Sequence, residues 1–534
     1  MYTAICALII GSPGALRAGD WTLTRGVGLL EVYTDNISLT EESPESEFIT
    51  QLSPNVRLSG EGRRVQLDFA YTLRAIHYAS NSDEDDIRHN LRAASTLELY
   101  EDLLFLDLDA GIRQQVVDNR RRIGSDDLNL TGNRTETYAV RASPYMRLHH
   151  GNFADSTLRL TSDLLDYSSN EADGSNSTNW TYQLSSGAAF PRTPWGLSYR
   201  RRDVQNDNRA DDTFEGYSAR VGYIFNRKWR ANASVGYEDN RVGAGFGQGQ
   251  GATWGVGVRW TPNPRTSASV NYGERSFGET WRFSITHRTR RSTLGLSYSE
   301  DIRSARDDIS EFALPGAEDV LSDLAPDIPG LVRSSVRQSV NAAIPTLPSL
   351  PSIPSIPSIP SIPSPEDFIP DLTPGLPDIG GFLPGLSPAV AGLDNPFADL
   401  APNQPNASSG NFLSKRLRLV YGLSLPRTSV TAGLSYAQRT GGVNFQEEDS
   451  TVADLAFSRK LGPRTAAQLR GVWRGLEATD FDSDELSVRT SLSRTLTKHL
   501  STSLYYQYAE RRSDAPNDDY QENRVGLSLS STWN

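Results

Sequence analysis

The feature that most constrains this chain is a two-residue alternation of apolar and polar side chains, repeated almost from end to end. Over residues 65–74, Val65, Leu67, Phe69, Tyr71 and Leu73 alternate with Gln66, Asp68, Ala70, Thr72 and Arg74. Residues 104–113, 138–148 and 416–425 repeat the pattern, the last with Leu417, Leu419, Tyr421, Leu423 and Leu425 set against Arg416, Arg418, Gly422 and Ser424. Side chains of a strand point alternately to opposite faces, so each segment has one apolar and one polar face.

A soluble antiparallel sheet could carry such strands, but three features point to a membrane-spanning one. The segments run about 10–14 residues, the length that crosses a bilayer at a tilt, against about 5–6 for soluble strands. Short, often basic or Pro-containing connections (EGRR 61–64, ED 101–102, HHGN 149–152, PRTP 191–194, NRK 226–228, NPR 262–264, PRT 426–428, LGPR 461–464) alternate with long acidic ones (41–47, 80–86, 169–177, 446–450, 479–485, 512–519). Outer-membrane barrels have this asymmetry of short periplasmic turns and long external loops. The third feature is the last segment, where Val525, Leu527, Leu529 and Trp533 alternate up to an aromatic residue, a terminal barrel signal followed here by Asn534. Because an open sheet edge cannot be satisfied in lipid, the expected fold is all-β: a closed, antiparallel, up-and-down transmembrane β-barrel of about 22 strands.

Composition agrees with this reading. Hydrophobic residues make up 37% of the 534 and no stretch approaches the ~18 consecutive apolar residues that a membrane helix needs, while a barrel shows lipid every second side chain. Residues 4–16 form a short apolar stretch ending at Leu16-Arg17-Ala18, which predicts a signal peptide over 1–18 whose basic start lies upstream. The only cysteine, Cys6, falls inside it, and a thiol-free mature chain suits an oxidising periplasm. The barrel is then expected in two parts, 19–303 and 411–534, separated by a Pro-rich insertion over 304–410. That insertion holds most of the 30 prolines, including the polyproline-II tract TLPSLPSIPSIPSIPSIPSP (346–365) with its edge of Ile353, Ile356 and Ile359. It is read as an external spacer, a lumen plug or a low-complexity insertion.

Catalytic chemistry finds little support. His77 and His89 flank the acidic loop 80–86 and could approach each other, but polar strand ends explain them as well. No nucleophile motif, phosphate loop or metal-ligand spacing appears, so no catalytic, cofactor or metal residue is assigned and the expectation is a non-enzyme. The polar face is more informative. It carries Arg57, Arg74, Arg92, Arg113, Arg141, Arg147, Arg159, Arg200, Arg220, Arg259, Arg282, Arg416, Arg418, Arg470, Arg474 and Arg489 as lumen-lining candidates, with fewer acids, among them Asp68, Glu98, Asp107, Asp109 and Asp163. The net charge of −12 therefore divides into acidic loops and a basic interior. Guanidinium groups recognise carboxylate, sulfate or phosphate, and Arg rings select anions in pores. The alternative is that Arg–acid ladders brace the wall.

Three early stretches, EVYTDNISL (31–39), EFITQLSPNVRLSGEGRRVQLDFAYTLRAIHYASNSD (47–83) and HNLRAASTLELYEDLLFLDLDAGIRQQ (89–115), resemble the outer-membrane β-barrel proteins associated with PEP-CTERM systems, as does NFLSKRLRLVYGLSL (411–425). The resemblance implies a Gram-negative outer-membrane barrel linked to exopolysaccharide and exosortase loci, and it supplies no catalytic residues. The functions expected are a porin-like channel or scaffold in exopolysaccharide export, a structural or interaction barrel with a blocked lumen displaying the insert, and, third, an outer-membrane enzyme. A TonB-type transporter is disfavoured because strand-like sequence begins directly after the signal segment. Expected partners are outer-membrane lipid and lipopolysaccharide, the barrel assembly machinery, and anionic exopolysaccharide or export proteins; nucleic acid is not expected.

Overall fold

In the computed structural model, residues 19–124, 126–169, 172–242, 249–314, 411–441 and 447–533 are described. They form one 22-stranded antiparallel sheet closed on itself. Strands β1 (Gly19–Thr34), β2 (Glu47–Gly62), β3 (Val65–Tyr78), β4 (Asp86–Tyr100), β5 (Leu104–Val116), β6 (Arg134–His150), β7 (Ala154–Tyr167) and β8 (Ser175–Ser186) open the wall. It continues through β9 (Trp195–Asn206), β10 (Asp212–Ile224), β11 (Trp229–Arg241), β12 (Gln250–Asn263), β13 (Thr266–Arg275), β14 (Gly278–Arg288) and β15 (Ser292–Ser304). A helix, α1 (Ala305–Ala313), follows, then β16 (Asn411–Ser424), β17 (Thr428–Thr440), β18 (Glu448–Gly462), β19 (Thr465–Ala478), β20 (Phe481–Thr495), β21 (Leu500–Ser513) and β22 (Tyr520–Trp533). Each strand pairs with its sequence neighbours, and β1 pairs with β22 from Arg25↔Trp533 to Thr34↔Arg524. The terminal strand therefore completes the wall with Val525, Leu527, Leu529 and Trp533 all exposed on its outer face.

Alternation sorts the side chains as the sequence requires. The outer face carries Leu158, Leu197, Val235, Val256, Leu434 and Leu504, all exposed, as lipid would cover them. Aromatic side chains collect near both rims: Phe225, Trp229, Trp260 and Trp533 toward the short turns, and Trp254, Trp281, Tyr436 and Trp473 toward the long loops. Two prolines interrupt the ladder locally. Pairing lapses between β2 and β3 at Pro54 and between β6 and β7 at Pro144 and resumes in the same register, because each proline lacks the N–H that the neighbouring strand would accept. Gly526 sits opposite Tyr505, whose ring lies so close that a Cβ on Gly526 would overlap it.

The alternation of short and long connections is less strict than the sequence implies. On the long-loop rim, β13 and β14 are joined by 276–277 alone and β19 and β20 by 479–480 alone, while 187–194 is the longest turn on the opposite rim. The acidic stretch 479–485 is mostly the start of β20. Strand pairing continues there because Glu485 faces inward between Arg474 and Arg511, so its charge is neutralised within the wall. The segment 1–18 and the Pro-rich tract, within 315–410, lie outside the described residues.

Candidate functional site: an arginine-lined lumen closed by acidic inward segments

Two segments fold into the barrel, one that the sequence reading did not single out and one within the expected insertion. The first is the connection 117–133 between β5 and β6. Its solvent-loop composition conceals Ile123 and Leu128, both buried. Leu128 packs with Ile37, Ile49, Ile76 and Tyr78, the inner side of β1–β3 and of the connection 35–46. Asp126 and Asp127 beside it reach two walls. Asp127 pairs with Arg74 at 2.5 Å and with Arg88 at 3.7 Å, while Asp126 pairs with Arg524 of β22. Arg524 is fully buried and also binds Glu522 at 2.7 Å and Asn129 at 2.9 Å. The Tyr78 and Tyr520 hydroxyls donate to the carbonyls of Leu128 and Ile123 at 2.9 and 2.8 Å, satisfying loop backbone that would otherwise be buried unpaired.

The second is α1, at the start of the expected insertion. Ser304 caps it by accepting from the Asp307 amide at 3.1 Å, and Asp307 and Asp308 in its first turn suit the helix dipole. The helix buries Ile309 and Leu314 against Ala139 and Leu165 of the inner wall. Its charges reach widely separated strands. Arg306 binds Asp163 of β7 at 2.5 Å, Asp307 binds Arg202 of β9 at 2.5 Å, and Ser310 accepts from Arg141 of β6 at 2.8 Å. Asp308 receives Arg303, Arg416 and Arg439 at 2.7, 3.0 and 3.8 Å. Only an element inside the barrel can touch β6–β9 and β15–β17 at once.

The two segments are linked. Arg439 binds Glu448 at 3.3 Å, and Glu448 in turn takes Asn119 at 3.2 Å and Arg120 at 4.0 Å. A chain of charges thus runs from Asp308 on the helix, through β17 and β18, to the loop. Burial works against ionisation of Asp307, but the Arg202 guanidinium and the Ser304 hydroxyl outweigh it and hold its pKa at about 2. Burial likewise opposes the charges of Asp308 and Asp127, and the arginines around each still bring their carboxyls below the usual range. At neutral pH the clamps are therefore fully charged.

The predicted lumen residues sort into groups. Arg74, Arg141 and Arg416 hold the inward segments as described. Arg57, Arg159, Arg282 and Arg474 pair with acids of the wall: Asp68 at 2.9 Å, Asp107 at 2.7 Å, Asp301 at 4.0 Å and Glu485 at 3.5 Å. Arg489 lies over the Tyr505 ring at 3.6 Å. Arg147 is exposed and sits 5.1 Å from the ring centres of both Phe105 and Tyr145, which stack on each other. Arg92, Arg113, Arg200, Arg220, Arg259 and Arg470 are half-buried and engaged by neighbours. Arg418 is exposed, two residues along the strand from Arg416, and has no acidic partner among the described residues. The sequence reading passed over Arg202, Arg439, Arg511 and Arg524. Arg524 could have been found, since it alternates with Val525 in the terminal strand. The partners on 117–133 could not be placed by alternation, and the only signal was apolar Ile123 and Leu128 within a polar loop.

His77 and His89 do not converge. His77 binds Asp85 at 2.7 Å, whereas His89 lies opposite Leu73, four residues away along β3, and meets the Tyr71 hydroxyl at 2.8 Å. Among the described residues, no cluster of three or more His, Cys, Asp or Glu is arranged to hold a metal ion.

No family profile matches the chain, and no curated protein matches it in sequence. Solved structures are similar to it in shape. The siderophore receptor PirA from Pseudomonas aeruginosa aligns over 97% of this chain and 81% of its own, at 8% identity and a TM-score of 0.46. The FrpB iron transporter from Neisseria meningitidis (F5-1 variant) aligns over 96% and 82%, at 9% identity and 0.46. OccK2 (OpdF) from Pseudomonas aeruginosa aligns over 96% and 98%, at 8% identity and 0.34. The assignment of location rests on the wall itself. An even number of antiparallel strands, closed without an edge and belted with outward apolar and aromatic side chains, is the architecture of the bacterial outer membrane. The chain is an outer-membrane β-barrel.

Proposed function

We propose that the barrel is a channel for anionic solutes whose lumen is narrowed by its own acidic segments. The observation that carries this is the matching of inward arginines to carboxylates supplied from within: Asp126 and Asp127 from the loop, Asp307 and Asp308 from α1. These carboxylates occupy guanidinium sites that a carboxylate, sulfate or phosphate group on a solute could occupy in exchange. The resemblance to PEP-CTERM-associated barrels implies a link to exopolysaccharide export, and the inward arginines favour an anionic polymer as the solute. Planar-bilayer recording of the purified barrel tests the reading. Anion-selective conductance that weakens as salt screens the charges is expected. A cation-selective or neutral pore would leave the arginines only a bracing role. A second reading, a permanently closed scaffold, draws support from the number of clamps. Failure to conduct even when the α1 clamps are removed would favour it.

A further inference from the structure

The rim formed by the short turns carries charge that the lumen does not use. Seven consecutive turns, from β8–β9 round to β20–β21, are cationic and contain no acidic residue: 187–194, 225–228, 264–265, 289–291, 425–427, 463–464 and 496–499. Arg192, Lys228, Arg265, Arg291, Arg464 and Lys498 are among the tip residues, all exposed. None of these six has an acidic partner among the described residues, in contrast to the lumen, where most cations are paired. The chain has only four lysines, and three of them, Lys228, Lys460 and Lys498, lie on this arc. The remaining turns differ. Arg63 and Arg64 meet Glu101 at 3.7 and 3.2 Å, and His149 pairs with Asp155. The basic charge is therefore segregated to one side of the ring.

Geometry narrows what the arc faces. With strands about 4.8 Å apart and tilted by about 40°, successive turns are separated by about 12 Å, so the arc covers about 75 Å of a circumference of about 138 Å. That separation exceeds the Debye length of about 8 Å at physiological salt, so the turns attract a partner by direct contact more than through a summed field. A lipid annulus surrounds a barrel evenly and gives no reason for one-sided charge. A solute entering the lumen would meet inward-facing groups, whereas these cations lie in the turns beyond the strand ends, where the six named are exposed.

We infer that this arc is the docking surface for a folded periplasmic protein that presents an acidic face and covers one side of the barrel mouth. Charge complementarity would set its orientation, with contacts repeated turn by turn. The inference does not depend on the solute proposed above, because it concerns the rim and is read by binding.

The test uses the full-length barrel in phosphatidylcholine nanodiscs, with poly-glutamate as an acidic polypeptide probe. Binding that weakens with salt is expected. The R290Q/R291Q/R464Q/K498Q variant should bind at least tenfold more weakly, while R63Q/R64Q on the paired arc and R418Q in the lumen should bind as the unaltered protein does. Equal losses in the four-site and R63Q/R64Q variants, or no binding at all, would overturn the inference. So would loss of co-purifying anionic phospholipid from the four-site variant with poly-glutamate binding unchanged, which would assign the arc to lipid. In cells, a photo-crosslinker at position 291 should trap one identified acidic periplasmic protein, and that protein, once purified, should require the arc for binding. Crosslinks to lipid or polysaccharide alone would refute a protein partner.

Discussion

Two sectors of the inner wall obey the same alternation but use it differently. Along β10–β14 the inward positions are mostly small and polar: Gly216, Ser218, Ser234, Thr253, Gly255, Ser269 and Asn271. Their hydrogen bonds are local, as between Ser269 and Ser284 at 2.7 Å. Along β15–β22 and β1–β9 small polar residues also face inward, but among them stand Arg74, Arg141, Arg202, Arg416, Arg439 and Arg524, which bind segments that cross the lumen. Outside, both sectors look alike to lipid. The comparison shows that the outer face specifies a barrel, whereas the inner face decides where the barrel is filled, and the two are written in alternate letters of one strand.

Removing the carboxylate at the centre of the filled sector should break the contrast most severely. Asp308→Ala removes the carboxylate that Arg303, Arg416 and Arg439 share, leaving Arg439 with Glu448. Loss of one partner from a buried ion pair costs on the order of 3–5 kcal/mol, enough to undock a short helix. Single-channel conductance should rise several-fold while the barrel stays heat-modifiable on gels. Unchanged conductance would mean that α1 does not obstruct the pore.

Acid should act on the same contrast less completely. The folded pKa of Asp307 lies below its ordinary value, so its clamp contributes fully above about pH 4 and is lost as pH falls toward about 2. Asp308 and Asp127 shift in the same direction. Conductance at low pH should therefore step upward, and Asp307→Asn should remove part of the step. A downward step would contradict the charge-clamp account.

Deleting 340–405 leaves α1 and every strand intact, and loop-closure entropy changes slowly with length. The barrel should therefore assemble normally, with conductance raised by less than in Asp308→Ala. Assembly failure, read as loss of the heat-modifiable band, would show that the tract helps to build the wall.

Smaller effects should sharpen the comparison. Ser218→Trp projects into the small-residue sector and should lower conductance by less than half. Arg418→Gln, which breaks no ion pair, should reduce anion selectivity modestly at low salt, as measured by reversal potential.

The sequence made the wall legible because alternation is a local property: Leu417, Arg418 and Leu419 declare their faces without reference to anything distant. Lumen-facing arginines followed by parity. What fills the lumen was not legible, because Asp126 meets Arg524 across nearly four hundred residues and no local rule specifies that pair. The helix was also hidden, since nine residues beside a Pro-rich tract carry little periodic signal, and its cap, Ser304, is the last residue of a strand.

The Asp126–Arg524 contact also implies an order of events. The loop that bears Asp126 is made early in the chain, and its partner sits on the last strand, beside the seam where β22 meets β1. Contacts of such separation form late, after shorter loops have closed. Until β22 is in place the loop has lost a principal anchor and its inner seat has only one wall. The loop's seat is therefore complete only once β22 has closed the wall.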